Sequence, residues 1–285
     1  MLLEGKPVAD KIKSEITDSV KECRSANSDL PKLAIMRAGS RPDDIAYESR
    51  IVKNCDELGI EVEVIVMEAK INMAGFMKTL EKLNEDAKIH GILIFRPLPD
   101  QLDLEVIRKA IKPEKDIDCI SHASTEKIFS GDESGIPPCT PEAVIKILKF
   151  YEIELSGKNI VIINRSMVLG KPLAMLLLNE NATVTICHSK TKELAEVVSR
   201  ADIVVTGVGK PKFFKKEFFA KDSIVIDVGI NFDEENNMCG DVDFSSVSEE
   251  VNSITPVPGG VGPVTSMVLL SHVIKAMKLQ QAVKK

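Results

Sequence analysis

The apolar run Asn159-Ile160-Val161-Ile162-Ile163 leads into Asn164-Arg165-Ser166-Met167-Val168-Leu169-Gly170-Lys171-Pro172 and then into a helical pattern over 173–178. A strand, a tight turn and a helix start in this order can hold a pyrophosphate, through backbone N–H groups and the positive end of the helix dipole. The stretch is not a literal G-x-G-x-x-G. Asn164 stands where a first glycine is expected, and asparagine tolerates the left-handed backbone that such a turn requires. By itself the stretch fits an ordinary βα turn equally well. The following strand end says more, because a fold that takes NAD places an acid about 20 residues on to bind the ribose hydroxyls. Here the strand over 182–187 ends in His188-Ser189-Lys190-Thr191, with no acid. With Arg165 at hand the pattern favours a ribose phosphate, so the expected cofactor is NADP, with NAD as the alternative. Two further strand ends, Thr206-Gly207-Val208-Gly209 and Asp227-Val228-Gly229-Ile230-Asn231, carry small residues that leave room for a flat ligand, although turn chemistry alone would also account for them.

A second stretch with binding chemistry is Thr255-Pro256-Val257-Pro258-Gly259-Gly260-Val261-Gly262-Pro263-Val264-Thr265, three glycines and three prolines in eleven residues. Glycine lets a backbone come close to a ligand and proline fixes φ, so the run reads as a rigid loop presented to something bound. Pro263 is placed to open the last helix.

The elements that must position these residues are legible from hydrophobic period. Helices are expected over 6–24, 43–58, 72–84, 104–111, 142–152 and 263–279, and strands over 32–37, 61–67, 91–95, 159–163, 182–187, 203–206 and 223–227. The stretch from Cys119 to Gly135 reads as polar connection, and 278–285 as a frayed end. This alternation implies an α/β fold with largely parallel strands. Prolines at Pro137, Pro138 and Pro141 mark a boundary, which divides the 285 residues into a first domain over 1–140 and a second over 141–265, with the last helix, 266–285, returning to the first.

Composition excludes several classes. At 44% hydrophobic and 28% charged the chain has a globular balance, and no apolar run approaches the ~20 residues that span a bilayer. The start Met1-Leu2-Leu3-Glu4-Gly5-Lys6 shows no export signal, so a cytoplasmic location is expected. A net charge of −6 argues against nucleic acid. Six cysteines without C-x-x-C spacing and four histidines without a metal-pair spacing lead to an expectation of free thiols and no metal.

Taken together, Tyr47 on the second helix, Lys115-Asp116-Ile117-Asp118, Pro138-Cys139-Thr140-Pro141, Arg165-Ser166 with Gly170-Lys171-Pro172, Cys187-His188-Ser189-Lys190-Thr191, Asp227-Val228-Gly229-Ile230-Asn231, Gly240-Asp241-Val242 and the proline–glycine loop resemble the methylenetetrahydrofolate dehydrogenase/methenyltetrahydrofolate cyclohydrolase family over nearly the whole chain. The resemblance implies a substrate domain with a mostly parallel sheet, a Rossmann-like domain for NADP, a cleft between them and a homodimer acting on tetrahydrofolate derivatives in one-carbon metabolism. It assigns Tyr47 and Asp118 to the catalytic and substrate site, Tyr47 stacking near the pterin and Asp118 hydrogen-bonding it. Without it, a partly buried tyrosine and an N-cap aspartate would be the reading. The resemblance gives Pro256, Pro258, Gly259, Gly260 and Gly262 to the substrate and Asn164, Arg165, Ser166, Ser189, Thr206, Gly207 and Ile230 to the cofactor.

Two positions depart from the family. It carries a lysine four residues after the tyrosine and a glutamine at the end of the third strand, where this chain has Ile51 and Phe95. Lys53 lies six residues from Tyr47, a rotation of about 240° on a helix, and is expected to face elsewhere. The expected activity is therefore oxidation of methylenetetrahydrofolate to methenyltetrahydrofolate with hydride transfer to NADP, and the family's second reaction, hydrolysis to formyltetrahydrofolate, is expected to be weak or absent. A shikimate-type dehydrogenase and an inactive folate- or nucleotide-binding protein are the rival readings.

Overall fold

The computed structural model describes residues 1–283 and divides into two compact units. One comprises Ile12–Pro137 and the chain from Leu269 on; the other comprises Met1–Lys11 and Pro138–Val268.

The elements of the first unit run α1 (Gly5–Ser25, whose opening turns count to the other unit), β1 (Lys32–Ala38), α2 (Pro42–Leu58), β2 (Glu61–Met67), α3 (Met73–Glu85), β3 (Gly91–Ile94), α4 (Leu104–Ala110) and α5 (His122–Ser130). Its sheet is parallel, in the order β2-β1-β3, with Leu33 opposite Gly91 and Met36 opposite Ile94. A central parallel strand is covered on both faces, which is why β1 is apolar almost throughout rather than alternating. Ala34 and Met36 join Phe76, Leu80, Ile92 and Ile94 in one core cluster. Local chemistry sets the ends of the helices. Pro42 opens α2, and Gly59, at φ 73°, closes it; the Asn72 side chain caps α3 by accepting from Gly75 N at 2.9 Å.

Helix α5 replaces part of the expected polar connection. Ser121 accepts from Ser124 N at 3.0 Å and Gly131 closes the far end in the left-handed region, so a polar sequence is held helical by its two caps.

The second unit follows as α6 (Cys139–Phe150), β4 (Asn159–Ile163), α7 (Gly170–Asn179), β5 (Thr183–Cys187), α8 (Leu194–Val198), β6 (Ile203–Thr206), β7 (Ile224–Asp227), β8 (Asn231–Phe232), β9 (Met238–Cys239), α9 (Phe244–Val247) and β10 (Ser253–Ile254). Its main sheet has five strands, all parallel, in the order β10-β7-β6-β4-β5, and β8 and β9 form a separate antiparallel pair. Register aligns Cys187, Ile163, Thr206 and Asp227 across four neighbouring strands, so the loops that follow them leave from one edge of the sheet. Ligands of open parallel sheets bind beyond that carboxyl edge. The N-terminus joins this unit through Leu3 N, which donates to Ile254 O at 2.9 Å.

The last helix, α10 (Val261–Val283), begins two residues before Pro263 and runs past the expected end. The expected frayed segment is helical to Val283; Lys284 and Lys285 lie outside the described residues. Among the described residues no helix is long and apolar enough to cross a membrane.

Candidate active site

In the second unit the turn after β4 is organised by the Asn164 side chain. Its Oδ1 accepts from Ser166 N at 2.8 Å, Ser166 Oγ at 2.8 Å and Gly170 N at 3.0 Å, while Nδ2 donates to Gly207 O. Asn164 is not among the residues with positive φ. The expectation that it replaces glycine by adopting a left-handed backbone is therefore corrected: the carboxamide is a strut that folds the turn and ties it to the neighbouring strand end. Arg165 and Ser166 are left exposed at the start of the ten-residue helix α7, with the exposed Lys171 beside them. After β5 a short turn is closed by His188 N donating to Thr191 Oγ1 at 2.9 Å and Lys190 N donating to His188 Nδ1 at 3.1 Å, which leaves Ser189 and Lys190 exposed. Basic and hydroxyl groups at a helix start and the adjacent strand end fit a phosphate-bearing dinucleotide.

Two aspartates brace the other strand ends. Asp227, 3% exposed, accepts from Gly229 N at 2.9 Å, Asp241 N at 3.1 Å, Val242 N at 2.8 Å and Thr206 Oγ1 at 3.2 Å. Burial pushes its carboxyl up to about 6, against the pull of three backbone N–H groups. Asp241 accepts from Val208 N, from Lys210 N at 2.9 Å and from Asn231 Nδ2 at 2.9 Å. A Cβ on Gly240 would fall on Asp227 Oδ2, and one on Gly229 would lie 2.6 Å from Asp241 Oδ1, so both positions require glycine for close approach. The network also reaches the proline–glycine loop, because Asp227 N donates to Thr255 Oγ1 at 2.8 Å. Thr206 is fully buried with its hydroxyl on Asp227, so its side chain serves the brace. Ile230, by contrast, is 63% exposed at the sheet edge, and Gly207 is half-buried. The bracing role of both aspartates is not legible in the sequence, because their partners are mostly backbone groups at distant positions, which no local spacing reveals.

The proline–glycine loop is held against the start of α1, where Gly5 N donates to Gly259 O at 2.8 Å. Pro258, Gly259 and Gly262 are exposed, Pro256 is half-buried and Gly260 is buried.

In the first unit Tyr47, on α2, is 38% exposed, and its ring centroid lies 5.4 Å from that of Phe95, which follows β3. Ile51, one turn after Tyr47, is 3% exposed and Phe95 7%; Lys53 is exposed. Asp118 accepts from Arg96 Nη2 at 2.6 Å, an ion pair across 22 positions that no local spacing reveals. The loop that presents Asp118 is pinned on both sides. Lys115, 4% exposed, donates to Leu83 O at 2.8 Å and Asp86 O at 2.7 Å, and burial pulls its ammonium below the ordinary value. Asp116, fully buried, accepts from Ile120 N at 3.0 Å and Ser121 N at 2.8 Å, and the Ile117 carbonyl lies 2.9 Å from His272 Nδ1. The first three residues of Lys-Asp-Ile-Asp thus fix the backbone from which the fourth projects. Cys119 stands at φ 54°, and burial pushes its thiol up to about 12. All six cysteines are free thiols.

Residues 3–118 match the family model for the tetrahydrofolate dehydrogenase/cyclohydrolase catalytic domain and residues 138–281 that for its NAD(P)-binding domain. The chain is 54% identical over 275 residues to the bifunctional protein FolD of Clostridium botulinum, covering 96% of this chain and 97% of that one. Among solved structures it resembles the bifunctional FolD methylenetetrahydrofolate dehydrogenase/cyclohydrolase of Campylobacter jejuni, with TM-score 0.95, 38% identity and coverage of 98% and 99% of the two chains. It also resembles the methylenetetrahydrofolate dehydrogenase-cyclohydrolase of Trypanosoma brucei, solved with NADP and an inhibitor, with TM-score 0.92, 32% identity and coverage of 100% and 99%. With both domain models matched over nearly its full length, the chain belongs to the tetrahydrofolate dehydrogenase/cyclohydrolase family.

Proposed function

We propose that the protein oxidises 5,10-methylenetetrahydrofolate to 5,10-methenyltetrahydrofolate, with NADP accepting the hydride that leaves the methylene carbon. The observation that carries this reading is the row of strand ends in the NAD(P)-binding unit, where Arg165, Ser166 and Ser189 stand exposed around the start of α7 and no acid follows β5. Arg165 and Ser189 take the ribose phosphate and Ser166 the pyrophosphate region, while Asn164 holds their turn. Ile230 and Gly207 give the nicotinamide an apolar wall and room. In the other unit Tyr47 offers an aromatic face to the pterin and Asp118 accepts from its amino and ring N–H groups. The exposed part of the proline–glycine loop, at Pro258, Gly259 and Gly262, contacts the substrate, with Pro256 and Gly260 shaping it.

Loss of hydride from the methylene carbon is assisted by the lone pairs of the flanking substrate nitrogens, so the protein need supply no base; it orients two rings. Hydrolysis of the methenyl cation differs, because a water must give up a proton. Ile51 and Phe95 cannot take one, and we assign this chain a hydrolase activity weak beside its dehydrogenase activity. A shikimate-type dehydrogenase is set aside by family membership. The protein works in this reading as a cytoplasmic homodimer, which light scattering on the purified chain checks directly.

The primary test is reduced-cofactor absorbance with methylenetetrahydrofolate and each nicotinamide cofactor. Catalytic efficiency with NADP should exceed that with NAD; equality or the reverse would remove Arg165 and Ser189 from a phosphate site.

A further inference from the structure

The ion pair between Arg96 and Asp118 lies where the proposed function puts the pterin, and it is an odd choice if Asp118 acts there alone. Arg96 Nη2 sits 2.6 Å from Asp118 Oδ2, and both side chains are partly exposed. A partly exposed pair contributes little to stability, so fold maintenance is a poor reason for it. Recognition is a better one. The pyrimidinone edge of a reduced pterin presents three groups in a row: the 2-amino group and N3–H, both donors, and the 4-oxo group, an acceptor. A carboxylate can only accept, so Asp118 answers the two donors and leaves the carbonyl without a partner. A guanidinium carries five N–H donors in one plane, and one that is already engaged with the carboxylate keeps others directed alongside it. The pair therefore presents acceptor, acceptor and donor, the complement of the edge. The neighbouring ring pair, Tyr47 with Phe95 at 5.4 Å, supplies aromatic surface from the residue just before Arg96.

We infer that Arg96 is a specificity-determining residue of the substrate site, donating to the 4-oxo group of the pterin while Asp118 accepts from its amino and N3–H groups. This rests on the proposed assignment of Asp118 to the pterin. The consequence is discrimination between 4-oxo and 4-amino pterins. A 4-amino group points donors at the guanidinium, and a site built to hydrogen-bond one group rejects a substitute that leaves its polar atoms mismatched.

The test is steady-state dehydrogenase kinetics with 5,10-methylenetetrahydrofolate and with its 4-amino-4-deoxy analogue, for the unaltered protein, Arg96→Leu and Arg96→Lys. In Arg96→Leu the KM for methylenetetrahydrofolate should rise roughly tenfold to a hundredfold, the size of a hydrogen bond to a charged group. The preference for the 4-oxo substrate should fall by a similar factor, with the KM for NADP unchanged. Arg96→Lys keeps a charge beside Asp118 but loses the planar fork, and should reduce the preference by a similar factor while folding normally, the remainder coming from Asp118, since the 4-amino ring also lacks the N3–H. An unchanged preference in both variants overturns the inference and leaves the dehydrogenase reading intact. An unaltered protein that oxidises no methylenetetrahydrofolate overturns both. A purely structural ion pair would lower thermal stability and raise both KM values together, and that result also overturns it.

Discussion

Asp227 ends an apolar strand and Asp118 ends the buried Lys115-Asp116-Ile117 stretch, each in a parallel-sheet unit, yet their surroundings are opposite. Asp227 is buried and surrounded by four donors from three chain segments, and its neighbours Gly229 and Gly240 leave no space for a side chain. Asp118 is partly exposed and pairs with the partly exposed guanidinium of Arg96. The first is a brace whose every partner belongs to the protein, and the second is a carboxylate presented outward on a braced loop. The same division runs through the two binding regions. In the NAD(P)-binding unit the polar groups of Asn164, Asp227 and Asp241 hold the loops that follow the strands. In the catalytic unit Ile51 and Phe95, where the family resemblance implies a lysine and a glutamine, are both buried beside Tyr47. A brace resists substitution because several backbone groups would lose their partner at once, whereas a side chain that serves a ligand alone leaves none of them unpaired.

The hydrolase reaction separates the two regions most strongly. The decay of methenyltetrahydrofolate absorbance should be little faster with the protein than in buffer, since loss of a positioned acid–base group costs about 10²–10⁴-fold in rate. Rapid enzymatic decay would show that the exchanged residues were never needed. Ile51→Lys with Phe95→Gln should raise the hydrolase rate, at some loss of thermal stability. Position 51 is only 3% exposed, and an ammonium there must be desolvated or find its way out.

Next in size is the pH dependence of the brace. Burial raises the Asp227 carboxyl to about 6 in the folded chain, above its ordinary value near 4. Between those values the folded state holds the proton more tightly than the unfolded state does. The contribution is full below about pH 4 and is lost as pH rises through about 6, by at most roughly 3 kcal/mol. Urea unfolding from pH 4 to 8 should show the stability difference between the unaltered protein and Asp227→Asn shrinking in that window. A difference independent of pH would mean that the donors around Asp227 outweigh its burial.

Much of this architecture is legible in the sequence, and the parts that are not have a common cause. Strands β1, β4, β6 and β7 declare themselves as short apolar runs and β5 as an alternating one, and their aligned ends fit parallel pairing. Helix α5 hides because its residues are polar and its evidence is a pair of caps, Ser121 and Gly131, rather than a period. The roles of Lys115, Asp116 and Asp241 hide because each partners backbone groups, and a backbone N–H or carbonyl has no letter in the sequence. The pairing of Arg96 with Asp118 spans 22 positions and appears only once the loops after β3 and before α5 are placed. Tyr47 and Asp118 are assigned by family resemblance; their types alone pass for ordinary packing and capping.

A smaller effect tests the phosphate assignment on the braced side. Arg165→Ser should raise the KM for NADP about ten- to a hundredfold, the range of one charge-assisted hydrogen bond, and leave that for NAD nearly unchanged. Equal losses with both cofactors would place Arg165 in the turn's structure instead.

The smallest effect is read within one motif, between Asp116 and Asp118, two residues apart. Asp116 is buried and accepts two backbone N–H bonds, from Ile120 at 3.0 Å and Ser121 at 2.8 Å. Asparagine keeps the shape but turns one acceptor into a donor, so one of those N–H groups loses its partner at a cost of about 1–3 kcal/mol. Asp116→Asn should therefore lower the urea midpoint without changing the slope. Its effect on folate KM should be secondary, since Lys115 and His272 still anchor the loop at either side. Asp118→Asn should do the reverse, because a partly exposed ion pair holds about 0–1 kcal/mol of stability. Its unfolding midpoint should stay near that of the unaltered protein while the KM for methylenetetrahydrofolate rises. The two variants differ by the same atom exchange in the same loop, so composition cannot explain a split between them. If both shift stability alike and neither shifts KM selectively, Asp118 belongs to the brace and the pterin is bound elsewhere.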